Sequence, residues 1–377
     1  MSGRAWRRQR SVTLGASAVL VTGATGLVGS EVIARLCRRG HTVVALTHRK
    51  ADIVDCAGNS IDAVSFVSDP DAPVSWVCGD VRTPDFGLGG DALAALSGRI
   101  GMVVHCAATT DFAAPQRDYD ELNIGGTRNA CYLARAWDVP LVYVSTAYVC
   151  GRREGAIAES DLTDAHSFGN GYERSKFHAE NLVRGTEGLR WSIVRPGIVT
   201  GYADTGEIRD YKNLYTIVKL IVEGKLRTLP GRYDASLSLA PVDFVADVVV
   251  AAVSDFPRAE GVTHHAVGDE ALTLRRISDV FAEYPSFEVA RFVPRTSFDA
   301  DALDAIEREY YLRIGAQYVS YFEGKRSFDT ANTAALTGAQ PPETGDEYLR
   351  TLLDYCLDSG YLGDALPSIE EVVQCSN

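Results

Sequence analysis

The sequence predicts an α/β fold built on a doubly wound parallel sheet, with a smaller, mostly helical C-terminal lobe. Three observations carry this. Short, continuously apolar β-rich runs alternate with amphipathic helical patterns through the first half of the 377 residues. Strands that are apolar throughout are covered on both faces, which requires helices as crossover connections. A glycine-spaced stretch, TGATGLVG, joins the first such run to the first helical pattern. After about residue 197 the alternation gives way to helical stretches.

Taken in order, the strand expectations are Ala18–Thr22, Thr42–Thr47, Val74–Cys78, Met102–His105, Leu141–Ser145 and Arg190–Val194. Leu27–Arg39 places Val28, Val32, Ile33 and Leu36 on one helical stripe, and Tyr119–Trp137 and Tyr172–Arg184 behave similarly. Beyond these, helices are expected near 209–223, 243–254, 273–283, 299–314, 330–337 and 344–359. Strand-like pieces lie at Lys225–Leu229 and Val262–Val267. The organisation read from this is a basic, disordered tail over 1–16, a nucleotide-binding domain over 17–200 that recovers about 241–265, and a substrate-binding lobe from 201–240 and 266–377.

Composition narrows the class. Hydrophobic residues make up 46% and charged residues 23%, ordinary globular proportions that exclude a disordered or collagen-like chain. No run of eighteen apolar residues exists, so no membrane-spanning helix is expected. The arginines at 4, 7, 8 and 10 lead straight into an apolar strand rather than an export signal. The eight cysteines form no CxxC pair and several lie in strand-like runs. They read as small buried hydrophobes in a reducing cytoplasm, not as metal ligands, and no metal site is expected. Net charge is −13, but residues 1–50 hold nine Lys/Arg against Glu31, a balance of +8, so the remainder carries −21. An acidic body disfavours nucleic acid as a partner.

The glycines Gly23, Gly26 and Gly29 stand between an apolar strand and an amphipathic helix. In that setting the first permits the tight turn, the second lets the backbone approach a pyrophosphate, and the third lets helix and strand pack closely, with the helix N-terminus facing the anion. This is the dinucleotide-binding arrangement of a Rossmann sheet. The second strand ends in Thr47-His48-Arg49-Lys50, with no acid to accept from a ribose 2′-hydroxyl until Asp52. Arg49 and Lys50 suit a 2′-phosphate instead, which predicts NADPH (NADP+) as the cofactor. Asp80, after the third predicted strand, is expected near the adenine amine.

Tyr172 and Lys176 form a YxxxK pair on one face of a predicted helix. A free phenol titrates near ~10 and is a poor acid at neutral pH, so a neighbouring ammonium, which lowers it together with the positive charge of the nicotinamide, has a chemical purpose. The strand ending Val142-Tyr143-Val144-Ser145-Thr146 offers a hydroxyl from Ser145 or Thr146 to a substrate oxygen. Asn123, in AsnIleGlyGlyThr, is a candidate holder of a proton-relay water, or makes a local backbone bond.

These stretches together resemble the extended short-chain dehydrogenase/reductase family over about residues 17–260. Within it, GDVRTPDFGL (79–88), AATTDF (107–112), VSTAYV (144–149), VRPGIVTG (194–201), DTGEI (204–208), PVDFVAD (241–247) and the tail from Arg326 through Gln340-Pro341-Pro342 resemble the thioester-reductase and fatty-acyl-CoA-reductase branch. The resemblance selects Thr146 as the hydroxyl member, Tyr172 as the acid, Lys176 as its partner and Asn123 as the fourth catalytic position. It implies a cofactor footprint of Gly23, Thr25, Gly26, Leu27, Gly29, Arg49, Asp80, Val81, Ala107, Ala108, Thr109, Tyr172 and Lys176. Pro196, Gly197, Ile198 and Val199 complete it beside the nicotinamide. Cys150 stands where the family has a tyrosine, away from the chemistry.

The activity so implied is NADPH-dependent reduction of an acyl thioester, on CoA or a carrier protein, to an aldehyde and onward to an alcohol if a second hydride follows. Hydride attacks a carbonyl held by Thr146 and Tyr172, and Tyr172 donates the proton. Other members with the same triad are sugar-nucleotide epimerases, dehydratases and hydroxysteroid-type dehydrogenases. The missing acid at the second strand's tip argues against the NAD-retaining epimerases. A non-catalytic NADPH-sensing regulator is a third reading, although that class commonly loses the Tyr or Lys. Helices flanking such sheets often build a homodimer. The aromatic set Tyr310, Tyr311, Tyr318, Tyr321 and Phe322 either lines an acyl channel or packs a core, and the helical spacing of Tyr311, Tyr318 and Phe322 favours the core.

Overall fold

A computed structural model describes residues 17–48, 52–163 and 167–363. Eight parallel strands form the central sheet: β1 (Ala18–Thr22), β2 (Val43–Thr47), β3 (Val64–Ser65), β4 (Val74–Cys78), β5 (Ile100–His105), β6 (Leu141–Val144), β7 (Trp191–Pro196) and β8 (Thr263–Ala266). Their order across the sheet is β8-β7-β6-β5-β1-β2-β4-β3. The chain winds one way from β1 to β3 and the other way from β5 to β8. The reversal therefore opens a crevice at the carboxyl ends of β1 and β5, where ligands bind in doubly wound sheets. In register, Thr22 lies opposite His105 at that crevice.

The main helices are α1 (Leu27–Arg38), α2 (Gly126–Ala136), α3 (Gly171–Gly185), α4 (Leu214–Val222), α5 (Val242–Ser254), α6 (Leu274–Phe281) and α7 (Asp346–Asp358). Strand alternation divides the core into two layers. Val19 and Val21 of β1 point to a cluster with Val32, Ile33 and Leu36 of α1 and Val245, Val248 and Val249 of α5. Leu20 points to the opposite face, with Ala130 and Leu133 of α2 and Ala179 and Val183 of α3. A third cluster joins α4, α6 and α7 through Ile217, Ile221, Phe281, Leu349 and Leu352. No helix among the described residues is long and apolar enough to cross a membrane.

Differences from the sequence expectations have local causes. The helix expected from 209 starts only at Leu214, because Asn213 before it has φ 51 and ψ −103, outside the helical region. The helix expected over 299–314 is confined to Ala305–Arg313, where Asp304 accepts from the backbone N–H groups of Ile306 and Glu307 and so sets the start. The segment Tyr119–Gly125 is a π-helix running into α2, not a uniform α-helix. The edge strand β3 is two residues long and leaves no periodic signal.

Candidate active site

The glycine loop is shaped by close backbone approach. Gly23 has φ +68, and a Cβ there would lie 2.7 Å from the backbone nitrogen of Ala107, which follows β5. A Cβ on Gly29 would lie 2.2 Å from the Gly23 carbonyl oxygen, so only glycine lets α1 pack this near β1. No side chain caps α1 and no acid occupies its first turn. Its N-terminal N–H groups and positive dipole end thus suit an anion. These features fit the pyrophosphate of a dinucleotide.

Ala107 and Ala108 follow β5 across the crevice. The Ala107 N–H donates to the Thr22 hydroxyl at 3.3 Å, and Ala108 faces the cleft. Val81 is buried under Gly126, where its side chain lies 3.1 Å from the position of a Cβ. At the far end, Arg49 lies outside the described residues. Asp80 is gripped by Arg82 through bonds of 3.0 and 2.7 Å, and the Arg82 guanidinium holds its carboxyl below the usual carboxylate range. His48, at the tip of β2, sits 3.8 Å from the same carboxylate. Arg82 therefore places a guanidinium close to the tip of β2, and nothing in its spacing singled it out.

Tyr172 stands in the first turn of α3, whose start is defined by side chains. Asn170 accepts from the Glu173 N–H at 2.9 Å, and the Glu173 carboxylate accepts from Gly169 at 2.8 Å. Such a reciprocal cap is worth about 1 kcal/mol and sets the direction in which the phenol leaves the helix. Gly171 is needed because a Cβ would meet the Tyr119 ring at 2.6 Å. Burial pushes the Tyr172 phenol well up, opposed by a hydrogen bond with the Thr146 hydroxyl. Thr146 follows β6, and its hydroxyl also donates to the Pro196 carbonyl at 3.4 Å. The two hydroxyls are thus adjacent, with Gly197, Ile198 and Val199 lining the same cleft.

Lys176 behaves differently from the expectation that its ammonium lowers the phenol. It is buried, donates to the Val144 carbonyl at 2.7 Å and lies 4.3 Å over the Tyr143 ring. Burial pulls it down to about 7. The physical reason is its depth: one turn along α3 the helix faces the sheet rather than the cleft. Asn123 is fully enclosed. Its carbonyl accepts from the Thr109 N–H at 2.8 Å, and its amide donates to the Thr109 carbonyl and to Ser175. Its side chain therefore ties the loop after β5 to α3 through partners 14 and 52 residues away, rather than through the local backbone bond that was the second expectation for it.

The cleft between these parts holds about 1290 Å³ of empty space, part of it open to solvent. Phe112, Tyr148, Tyr318, Tyr321 and Phe322 line it beside Tyr172. Phe112 packs 5.8 Å from Tyr172 and stacks on Tyr321 at 5.6 Å. The aromatic set so divides: Tyr318, Tyr321 and Phe322 reach the cleft, whereas Tyr311 packs on Phe298 at 4.7 Å. Phe322 is also a buried member of the lobe core and Tyr318 packs against it, so the core expectation holds for both, and the break at Ile314 into a 3-10 turn and a second short helix brings them to the cleft as well. Sequence reasoning also missed Arg209, which reaches from the lobe to the glycine loop and donates to the Thr25 carbonyl at 3.2 Å. Its only signal was a lone cation after the DTGEI stretch. Cys106 lines the cleft, but burial pushes its thiol up to about 12, so it is protonated and a poor nucleophile.

A family model described as Male sterility protein matches residues 21–249. The chain belongs to this family. It falls in the thioester-reductase and fatty-acyl-CoA-reductase branch of the extended short-chain dehydrogenase/reductases, which are nicotinamide-dependent oxidoreductases. Among curated relatives, the L-2-aminoadipate reductase large subunit of Penicillium chrysogenum is 29% identical over 67% of this chain and 20% of its own length. The fatty acyl-CoA reductase wat of Drosophila melanogaster is 27% identical over 64% of this chain and 54% of its own. The chain thus spans about a fifth of the aminoadipate reductases it matches. Among solved structures, the terminal R domain from the myxalamid PKS-NRPS biosynthetic pathway superposes with a TM-score of 0.77 at 26% identity, covering 94% of both chains. A UDP-galactose 4-epimerase shares the fold at 16% identity and a TM-score of 0.61. In this chain Tyr172, Thr146 and the glycine loop line one cleft.

Proposed function

We propose that the chain reduces the carbonyl of an acyl thioester, carried on CoA or a carrier protein, to an aldehyde, with NADPH as the reductant. The observation that carries this reading is the adjacency of the Thr146 and Tyr172 hydroxyls in an aromatic-walled cleft that begins at the glycine loop. Gly23, Gly26 and Gly29 would hold the pyrophosphate, and Arg49 with Arg82 the 2′-phosphate. When bound, the nicotinamide supplies a hydride to the carbonyl carbon.

The chain's own residues do the rest. Thr146 and Tyr172 donate hydrogen bonds to the carbonyl oxygen, and these strengthen as negative charge develops on it. Tyr172 then gives up its proton to that oxygen. Phe112, Tyr318 and Tyr321 exclude water, which strengthens both interactions. Lys176, with a proton exchangeable near neutrality, sits one turn behind the phenol. Collapse of the hemithioacetal expels the thiol and needs no acyl-enzyme, in keeping with the protonated state of Cys106.

The same reading assigns 17–200 with about 241–265 to the cofactor half and 201–240 with 266–377 to the substrate half. The separate apolar clusters on the sheet faces and around α4, α6 and α7 support it. The test is to mix purified protein with NADPH or NADH and panels of acyl-CoAs, aldehydes and nucleotide sugars, following loss of reduced-cofactor absorbance. Thioester-dependent oxidation of NADPH is expected. Conversion of a nucleotide sugar without net change in cofactor, or tight NADPH binding with no turnover on any panel, overturns the proposal.

A further inference from the structure

The cleft changes character with depth. Near its opening stand Asp210 and the exposed Lys212. Asp210 is already paired with Arg209 at 2.9 Å. Deeper in, Ile208, Ile217, Leu237 and Phe322 are each no more than 3% exposed. Polar groups at this depth are already engaged. The Tyr215 hydroxyl accepts from the Gly201 N–H at 2.8 Å, and the Tyr148 hydroxyl accepts from the Ser238 N–H at 3.4 Å. The inner end thus presents hydrocarbon to whatever enters it.

Behind that end lies a second, much smaller cavity inside the lobe core, under Phe281 and Phe292. Leu214, Ile217, Leu237 and Phe322 line both spaces. These four side chains are therefore a partition one residue thick, with space on either side of it. Phe322 is braced from behind by Phe292, with ring centroids 5.5 Å apart.

We propose that the acyl group of the substrate is an aliphatic chain whose far end stops against Leu214, Ile217, Leu237 and Phe322, so that this partition sets the chain length accepted. The inference rests on the thioester-reductase reading and deepens it. A carboxylate or ammonium at the chain's far end would be desolvated there without a partner, which is costly. An alkyl chain gains instead, by about fourfold in kcat/KM for each methylene newly buried. The partition converts that steady gain into a limit, because the first carbon beyond it must displace a packed side chain. The aminoadipate reductases among the relatives are named for a substrate with polar groups at both ends. The inner end of this cleft offers such a chain nothing.

The experiment is a series of straight-chain acyl-CoA thioesters of increasing length, with one ω-carboxylated thioester of medium length, assayed by NADPH oxidation. For the wild type, kcat/KM is expected to rise by about fourfold per methylene and then fall, with the ω-carboxylated compound about 100-fold poorer than its alkyl counterpart. Phe322→Ala opens the partition and is expected to move the maximum to longer chains. Ile217→Phe fills the inner end and is expected to move it to shorter ones. NADPH binding by fluorescence, unchanged in both, reports that they are folded. Should Phe322→Ala fail to fold, the shift from Ile217→Phe decides alone. A length profile that neither variant moves, or an ω-carboxylated thioester used as well as the alkyl one, overturns the partition while leaving thioester reduction standing. A wild type that turns over no thioester of any length overturns both.

Discussion

Lys176 donates to the carbonyl oxygen of Val144 at 2.7 Å, and so binds the sheet rather than the phenol one turn before it on α3. This geometry has a thermodynamic consequence. Burial lowers the folded-state value to about 7, from an ordinary value of 10.5. Between those values the unfolded chain holds a proton that the folded chain has released. Burying Lys176 therefore costs stability while it is protonated, and that cost is relieved as pH rises across that window. Thermal melts of cofactor-free wild type and Lys176→Met should shift relative to one another with rising pH, the wild type gaining on the variant. A constant difference from pH 7 to 10 would show that the ammonium is not desolvated as described.

Tyr172 and Thr146 share the carbonyl oxygen in the proposed reaction, so their loss should be felt in turnover rather than in cofactor binding. Tyr172→Phe removes the acid and should reduce kcat by about 10²–10⁴. Thr146→Ala removes one donor and should cost about 10²–10³. Both should bind NADPH as the wild type does by fluorescence titration. Undiminished turnover by Tyr172→Phe would remove the assignment.

Selectivity between cofactors should reside in the cations beyond β2 and β4. Replacing Arg82 with Ala should weaken NADPH by roughly tenfold to a hundredfold, the worth of charge-assisted bonds, and leave NADH nearly unaffected. Arg49→Glu should act in the same direction and more strongly, because it adds repulsion. Equal losses for both cofactors, measured by titration, would separate these arginines from the 2′-phosphate.

Three histidines are held neutral by burial. His105 is pushed down to about 3, and His264 and His265 to about 4. Each takes up a proton on unfolding once pH drops below the ordinary value of 6.5, so stability is lost as pH falls from there towards 4. The midpoint of denaturant unfolding should fall steadily over that range, and His264→Asn should reduce the slope. An unchanged slope would place the acid sensitivity elsewhere.

The Glu180–Arg195 pair joins α3 to β7 at 2.6 Å with both side chains fully buried. Burial pushes the Glu180 carboxyl up, but Arg195 and Arg184 more than offset it and hold it below the usual range. Glu180 also accepts from Ser145, the neighbour of Thr146, at 2.8 Å. Glu180→Gln leaves the Arg195 charge uncompensated and should cost about 3–5 kcal/mol of stability, read from denaturant melts. A loss below 1 kcal/mol would mean that water reaches the pair.

Much of this was legible in local pattern. The strands Ala18–Thr22 and Val74–Cys78 match their predicted limits, because an apolar run bounded by turn residues has one comfortable conformation. The glycine loop was legible because its spacing reports steric demands within a few residues. What escaped were contacts between distant segments. Arg209 lies 184 residues from Thr25, to whose carbonyl it donates. Tyr318 and Phe322 do belong to the lobe core, and periodicity could not show that they also face the cleft.

By itself, then, the sequence determined the doubly wound sheet, the glycine loop and the Tyr172–Lys176 spacing, since each depends on spacing along one strand, turn or helix, while family resemblance chose Thr146 over Ser145. Only the tertiary structure decided where the Lys176 ammonium goes, that Asn123 is tied to Thr109 and Ser175, and which aromatics face the cleft. Those outcomes depend on burial and on partners from distant parts of the chain. The free energy of a buried charge or ring is set by what surrounds it, which no local spacing records.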